Sequence, residues 1–410
     1  MLLDVAGKPL IVRTWEQAKK AKSVSRVIVA TDDQRIFDAV TEADGAAVMT
    51  SPDHQSGSDR LSEVAETLPN GSIIVNVQGD EPLISPDTID RTVEALIADP
   101  SAQIATACEP ITSLWGELLN FNVVKIAIGE RGNALYFSRS PMPFPREASL
   151  RYDGDPNRAL IEEPEIFAQY HRKHTGLYVY RREYLLEFAR MPQTRLEKLE
   201  MLEQLRALEN GAKIKVVEAA SSSIGVDTQE DLDRVRLKIG FPDVTFRSGS
   251  AGDFPKIADV YRRAVSSSYQ GFLTDEQLDK ISSVDRVAVH QRRLAENAET
   301  YRLLLAEDEQ HGVVGFIDRA DAGDSEAHIF SFYVVPESQR KGLGRALFKE
   351  CLRGIQRDGY LAANLDTFEA NPFRGFYDRM GGEVVGTEEH KVGTDRMPGV
   401  IYRWSDLSKI

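Results

Sequence analysis

Ser72-Ile73-Ile74-Val75-Asn76-Val77-Gln78-Gly79-Asp80-Glu81-Pro82 runs from a short β-branched apolar segment into an acidic turn. Ser72 to Val77 reads as a parallel strand covered on both faces. Gly79 permits the turn, and Pro82 ends strand and helix propensity alike. Asp80 is thereby placed at the carboxyl edge of an α/β sheet, where such folds hold their ligands. A carboxylate there suits Mg²⁺ held against a triphosphate, and it equally suits a cap on the following helix. The rest of the chain decides between the two.

Working outward, the first part of the chain alternates strand and helix patterns. Arg26 to Ala30 is a strand ending in Thr31-Asp32-Asp33, followed by a helix over Gln34 to Ala43. A helix over Pro86 to Ile97, with Ser85 at its N-cap, follows the Ser72 strand. Ile104 to Ala107 and Val123 to Ile128 are further strands. This rhythm predicts an α/β fold with a doubly wound, Rossmann-like sheet. Leu199, Leu202, Leu205 and Leu208 form one apolar seam, which predicts a single helix over Leu196 to Leu208 ended by Asn210-Gly211. A strand at Ile214 to Glu218 and a helix capped by Thr228 complete this part. Lys238 to Asp243 breaks the pattern, and a new strand starts at Val244. The domains are therefore expected at 1–240 and 241–410.

At 410 residues, 42% hydrophobic and 28% charged, the chain is long enough for two or three ordinary domains with sizeable cores. A net charge of −14 argues against broad binding to nucleic acid or anionic membranes. Cys108 and Cys351 lie far apart, suggest no disulfide or zinc framework, and fit a reducing cytoplasm. No apolar run approaches a membrane span, and the N-terminus reads as no signal peptide.

A second acidic element, Ile224-Gly225-Val226-Asp227-Thr228, lies again between strand and helix. Two carboxylates at one sheet edge can share a divalent ion, although both also suit helix caps. Asp53-His54-Gln55-Ser56-Gly57-Ser58-Asp59-Arg60 is rich in donors. Gly57 allows close approach to a base or sugar, and Arg60 can pair with a phosphate or carboxylate; as a bare motif the stretch is weak, and the solvated-loop reading is favoured.

Taken with Gly7 to Ile11, Ala30 to Asp32, Ala134 to Arg139, His174 to Tyr178 and Leu199 to Arg206, these blocks give residues 2–238 a family resemblance. The segment resembles the 3-deoxy-manno-octulosonate cytidylyltransferases. The resemblance implies transfer of CMP from CTP to the sugar acid with release of pyrophosphate. It implies Asp80 and Asp227 as catalytic Mg²⁺ ligands, and Ser56, Gly57, Arg60 and Gln78 as nucleotide contacts. Arg139, His174, Tyr178, Glu203 and Gln204 are implied to line the sugar pocket, and a homodimer is expected by family analogy. Such chemistry needs little covalent help from protein, because positioning and charge neutralisation supply most of it.

The resemblance also implies a strand and a phosphate-gripping loop of ~20 residues ahead of Met1-Leu2-Leu3-Asp4. The expectation is a first domain lacking that segment, either because the recorded start lies downstream of the true one or because the domain is catalytically impaired. The first explanation is favoured, since deleting a central strand exposes unpaired backbone groups.

In the second half, the strand Ile329 to Val335 leads through Pro336 into Gln339-Arg340-Lys341-Gly342-Leu343-Gly344-Arg345 and a helix. Glycines before a helix let backbone N–H groups face a pyrophosphate, aided by the helix dipole. With Asn371-Pro372-Phe373-Arg374-Gly375-Phe376-Tyr377, this resembles the GNAT-type N-acetyltransferases, whose sheets are mixed. The resemblance implies acetyl-CoA as co-substrate, bound through Val334, Arg340, Gly342, Leu343, Gly344, Arg345 and Asn371. Tyr377 is implied as the general acid for the leaving thiolate. Glu326, Asp366 and Glu369 border the expected cleft, although the solvated-carboxylate reading is favoured for each, and His328 suits a packed strand residue equally well.

The chain thus reads as a bifunctional cytoplasmic transferase that binds neither nucleic acid nor membrane. Two alternatives stay open. The first domain is a non-catalytic binding or dimerisation module, or it activates a related sugar acid, for example an amino-substituted one.

Overall fold

The computed structural model describes residues 1–54, 56–269 and 271–407. The chain divides into Met1–Asp231 and Leu232–Ile410. The helix Gln229–Gly240 runs across that division. Both units are α/β with sheets of mixed direction. Among the described residues, no helix is long and apolar enough to cross a membrane.

In the first unit a six-stranded sheet is organised around one long strand, Arg172–Arg181. Ile104–Pro110 runs antiparallel to it along one side, and Ile214–Glu218 lies parallel beyond. On the other side its two halves take different partners. Tyr178 to Arg181 pairs with Ile73–Asn76, whereas Lys173 meets Lys125–Ile128. The ladder with Ile104–Pro110 slips between Thr106 and Ala107. That bulge brings the rings of His174 and Tyr178 to 5.0 Å, both reporting to the same side of the strand.

One expectation about the sheet is corrected. Ile73–Asn76 is antiparallel to its partner and forms an edge of the sheet among the described residues, not a parallel interior strand. The parallel pair Ile28–Thr31 and Ala46–Met49 forms a sheet of its own. An apolar run reports burial; it carries no information about the direction of the neighbouring strand.

The expected single helix over Leu196 to Leu208 is two, Arg195–Glu200 and Gln204–Glu209, separated at Met201 with φ +54°. Leu199 is 77% exposed, so the leucine seam is not one buried face. The break lets Glu200 accept from Ser138 Oγ at 2.7 Å and from the Arg139 amide at 3.0 Å. It also joins the halves through a buried ion pair, Arg206 Nη2 to Glu197 Oε1 at 2.8 Å. These long-range bonds outweigh the helical period.

The second unit is built on a seven-stranded sheet, with helices such as Phe254–Ser268 and Leu343–Arg357 closing one continuous core. Among the described residues every ladder is antiparallel except one. Glu326–Val334 and Ala362–Phe368 run parallel and stay paired only from Glu326/Ala362 to His328/Asn364. Beyond that point the two strands separate. A fork between parallel strands leaves backbone donors and acceptors for an extended ligand.

Candidate functional sites

Gly79 turns the chain after Ile73–Asn76, its carbonyl accepting from the Thr14 hydroxyl at 2.8 Å. Asp80 does not cap the next helix; Ser85 does, accepting from the Thr88 amide at 3.4 Å. Instead the Asp80 carbonyl accepts from the Val226 amide at 2.9 Å, which clamps the Asp80 turn to the Asp227 segment. Burial holds the Asp80 carboxyl above its ordinary pKa, and the charge of Asp227 adds to the effect. Two carboxylates in mutual repulsion, with hard oxygen donors only, form a donor set that fits Mg²⁺.

Sequence reasoning missed two neighbours. Glu81 is half-buried, bonded to the Ser223 hydroxyl, and seated against two glycines. A Cβ on Gly176 would lie 3.7 Å from its Oε1, and one on Gly225 3.4 Å. Glu109 accepts from the Ser223 amide at 3.0 Å and from Ser222 Oγ at 2.7 Å. Lys173 Nζ lies 3.2 Å from Glu109. Together Glu81 and Glu109 hold the segment that carries Asp227. The only signal for Glu81 was its place beside Asp80.

Of the expected nucleotide contacts, Ser56 caps the helix Gly57–Glu66, accepting from the Asp59 amide at 3.2 Å. Gly57 opens onto free space. Arg60 is engaged with Asp32 at 3.0 Å and with Thr50 Oγ1 at 2.5 Å. Gln78 packs its stem towards Gly176, beside Glu81. Gln55 lies outside the described residues.

The expected sugar-side residues divide. His174 is half-buried, its Nε2 2.8 Å from Thr106 Oγ1 and its ring edge-on to Phe137. Burial pushes it down to about 3, so the imidazole is neutral at ordinary pH. Burial raises the Tyr178 phenol well above its usual range, and the charges of Tyr180 and Glu203 add to this. Glu203 lies within electrostatic reach of Tyr178 and Tyr180, and its chain neighbour Gln204 is buried. Arg139 stands apart, fastened to the Glu200 carbonyl at 2.9 Å and the Phe121 carbonyl at 3.0 Å. Its neighbour Lys125, not anticipated from sequence, is fully buried with Nζ 2.6 Å from the Val123 carbonyl. Desolvation brings that amine down to about 8.

In the second unit Gly342 is the N-cap of Leu343–Arg357 with φ +91°, and Arg340 also takes a left-handed φ of +60°. Gln339 Nε2 donates to the Val334 carbonyl at 2.9 Å, tying the loop to its strand. Leu343 is fully buried, its side chain part of the core rather than of an open surface. Gly344 packs towards Phe332. Arg345 Nε lies 2.9 Å from Asp233. Asn371 shapes its own turn, accepting from the Phe373 amide at 2.9 Å and donating to Thr367 at 2.9 Å. Tyr377 packs on Phe348, Tyr402 and Trp404, and burial keeps its phenol protonated.

Across the fork the structure assembles a group the sequence left scattered. His328 Nε2 lies 3.3 Å from Asp366 Oδ1, and His390 Nδ1 lies 3.6 Å from Asp366 Oδ2. His390 Nε2 is 3.3 Å from Glu388 Oε1. Asp366, Glu388 and His390 present ligand-type atoms within 4.8 Å of one another. Gly399 makes room for this arrangement, since a Cβ there would fall 2.4 Å from the His390 ring. Glu326 is instead occupied by Asn364 at 2.7 Å and Arg403 at 3.2 Å. His390 was invisible beforehand because the hairpin register that delivers it is a tertiary property.

Residues 1–214 match the family described as cytidylyltransferase, and residues 266–398 match the acetyltransferase (GNAT) domain family. The chain is 48% identical over 240 residues to the 3-deoxy-manno-octulosonate cytidylyltransferase of Trichlorobacter lovleyi, covering 58% of this chain and 91% of that one. To the enzyme of the same name from Geotalea daltonii it is 51% identical over 241 residues, covering 58% of this chain and 91% of the relative. A solved structure of CMP:2-keto-3-deoxy-manno-octonic acid synthetase complexed with CTP superposes with a TM-score of 0.51 at 37% identity, over 58% of this chain and 90% of that one.

Proposed function

The chain belongs to the cytidylyltransferase family through residues 1–214 and also carries a GNAT acetyltransferase domain, and from that premise we propose a division of chemistry between its two units. The first transfers CMP from CTP to 3-deoxy-manno-octulosonate, releasing pyrophosphate. The second transfers the acetyl group of acetyl-CoA to a primary amine.

The observation that carries the first assignment is the Val226–Asp80 bond, which brings the two carboxylate-bearing turns together. Asp80 and Asp227 would hold Mg²⁺, which supplies neutralisation of triphosphate charge when bound. Glu81 and Glu109 position the Asp227 segment. Ser56, Gly57, Arg60 and Gln78 orient the nucleotide. His174, neutral, offers a hydrogen bond to a sugar hydroxyl, and Tyr178, Glu203 and Gln204 read the remaining ones. Arg139 is assigned to the sugar carboxylate.

In the second unit the loop Arg340 to Arg345, with Val334 and Asn371, takes the CoA moiety along the fork. Asp366 and His328 receive the proton of the amine, and Tyr377 protonates the departing thiolate. The two buried free cysteines, Cys108 and Cys351, fit a reducing cytoplasm. A homodimer is part of the same reading.

A second reading makes the first unit a binding module without catalysis. It is favoured by the edge position of Ile73–Asn76 and the separate Ile28–Thr31/Ala46–Met49 sheet, which leave the Asp80 strand partnered on one side. Pyrophosphate release from CTP and 3-deoxy-manno-octulosonate decides between them: release dependent on both substrates supports catalysis, and its absence selects the binding module. A parallel assay with acetyl-CoA and the 8-amino analogue of the sugar acid tests whether both units share a substrate; no acetylated product, free or CMP-linked, would sink that link.

A further inference from the structure

Residues 232–240 of the helix Gln229–Gly240 belong to the second unit, where they pack against the loop assigned to CoA. Asp233 Oδ2 lies 2.9 Å from Arg345 Nε, both atoms shielded from solvent, and Asp233 Oδ1 lies 3.9 Å from Arg236 Nη1. Gly342, the N-cap of Leu343–Arg357, is covered by the same helix. A Cβ on it would lie 3.6 Å from Arg236 Cβ, 3.7 Å from the Leu237 nitrogen and 3.9 Å from the Asp233 carbonyl. Further along, a Cβ on Gly240 would lie 3.5 Å from Lys341 Cβ, and Lys341 Nζ stands 5.8 Å from the centre of the Phe241 ring. Leu237 and Phe241 pack into the core of the second unit, which fixes this end of the helix to it.

A glycine loop admits a phosphate because the missing Cβ lets a ligand come close to the backbone, and the helix dipole with flanking cations completes the attraction. At Gly342 that space is in van der Waals contact with another helix. At Arg345 the guanidinium already holds an anion, the Asp233 carboxylate.

We propose, resting on the acetyl-CoA reading of the second unit, that residues 232–240 form an intramolecular gate on the pyrophosphate loop. Asp233 stands in for a phosphate on Arg345, and acetyl-CoA enters as the helix lifts from Gly342. An oxyanion accepting from the loop N–H groups stands ~3 Å from them, so the docked helix and a bound pyrophosphate exclude one another. Leu232 and Val235 are buried, so opening exposes apolar surface and the closed form dominates without ligand. The open fraction then scales the apparent affinity for acetyl-CoA.

Calorimetry of acetyl-CoA on the full chain tests the gate with two changes that act in opposite directions. Asp233→Asn removes the competing charge and should tighten binding at least ~5-fold, whereas changing a residue that merely shaped the loop would weaken it. Gly240→Cys with Lys341→Cys places two Cβ atoms within disulfide range. The native cysteines, both buried, do not compete for that pairing. Oxidised, this variant is tethered shut and should bind acetyl-CoA at least ~10-fold more weakly than the same protein after reduction, which serves as the folding control. Unchanged or weakened binding in Asp233→Asn, or equal binding by the oxidised and reduced forms, would overturn the gate and leave the acetyl-CoA reading intact. No binding of acetyl-CoA by any form, Asp233→Asn included, would overturn that reading and the gate with it.

Discussion

His328 Nε2 lies 3.3 Å from Asp366 Oδ1 where two parallel strands part company. Burial opposes a charged imidazole, but the bonds to Asp366 and Asn364 outweigh it and hold His328 above its ordinary value of 6.5. A raised histidine contributes stability that is fully present below about 6.5 and is lost as pH rises through the folded value. Asp366→Asn should therefore lower the titration midpoint of His328 and remove that pH-dependent increment. Ring-proton NMR across pH 5 to 9 checks this; an unmoved His328 midpoint would refute the pairing. The titratable and charged groups facing the same spot, Glu388, His390, Tyr377 and Arg293, remain in place in that variant.

Asp80→Asn should abolish Mg²⁺-dependent pyrophosphate release while leaving acetyl-CoA binding within about twofold. The substitution removes a carboxylate charge that burial and Asp227 already disfavour, so the fold should lose nothing. Retained CMP transfer would mean that Asp80 is not a metal ligand.

His174 gives the opposite pH signature to His328. With its folded value pushed down to about 3 by burial, the unfolded chain binds its proton first as pH falls. Its contribution is therefore fully present above about 6.5 and declines from there towards about pH 3. His174→Gln keeps a partner for Thr106 and should flatten this decline. Urea midpoints of the two proteins measured from pH 4 to 7 should converge at the acidic end; parallel curves would contradict the assignment.

Glu197 and Arg206 form a pair whose side chains are 4% and 5% exposed. Removing one partner strands a buried charge, so Glu197→Gln should cost about 3 kcal/mol in chemical denaturation. Glu197→Leu with Arg206→Met should cost less than the single change, because no charge is left unpaired. A larger loss in the double variant would show that the pair itself drives the broken-helix geometry.

The two-part α/β organisation, the acidic turn at Asp80 and the glycine-bearing loop at Gly342 are all legible in the residues alone. Each rests on local physics: β-branched runs make strands, glycine permits left-handed turns, and Ser85 or Thr228 starts a helix wherever its hydroxyl meets a free amide. Both expected families emerged for the same reason, since those local signals come in ordered blocks. The direction of Ile73–Asn76 is set by the assembled sheet, because an apolar strand does not encode its neighbour. The tertiary structure decided the break at Met201, where Glu200 and Glu197 gain long-range partners that no helical period foretells. It also gathered Asp366, Glu388 and His390 through strand register and a bare Gly399. Asp80 belongs to both accounts. Its place at a strand end is written locally, but whether it caps a helix or meets Asp227 is settled by one amide, that of Val226, arriving from far along the chain.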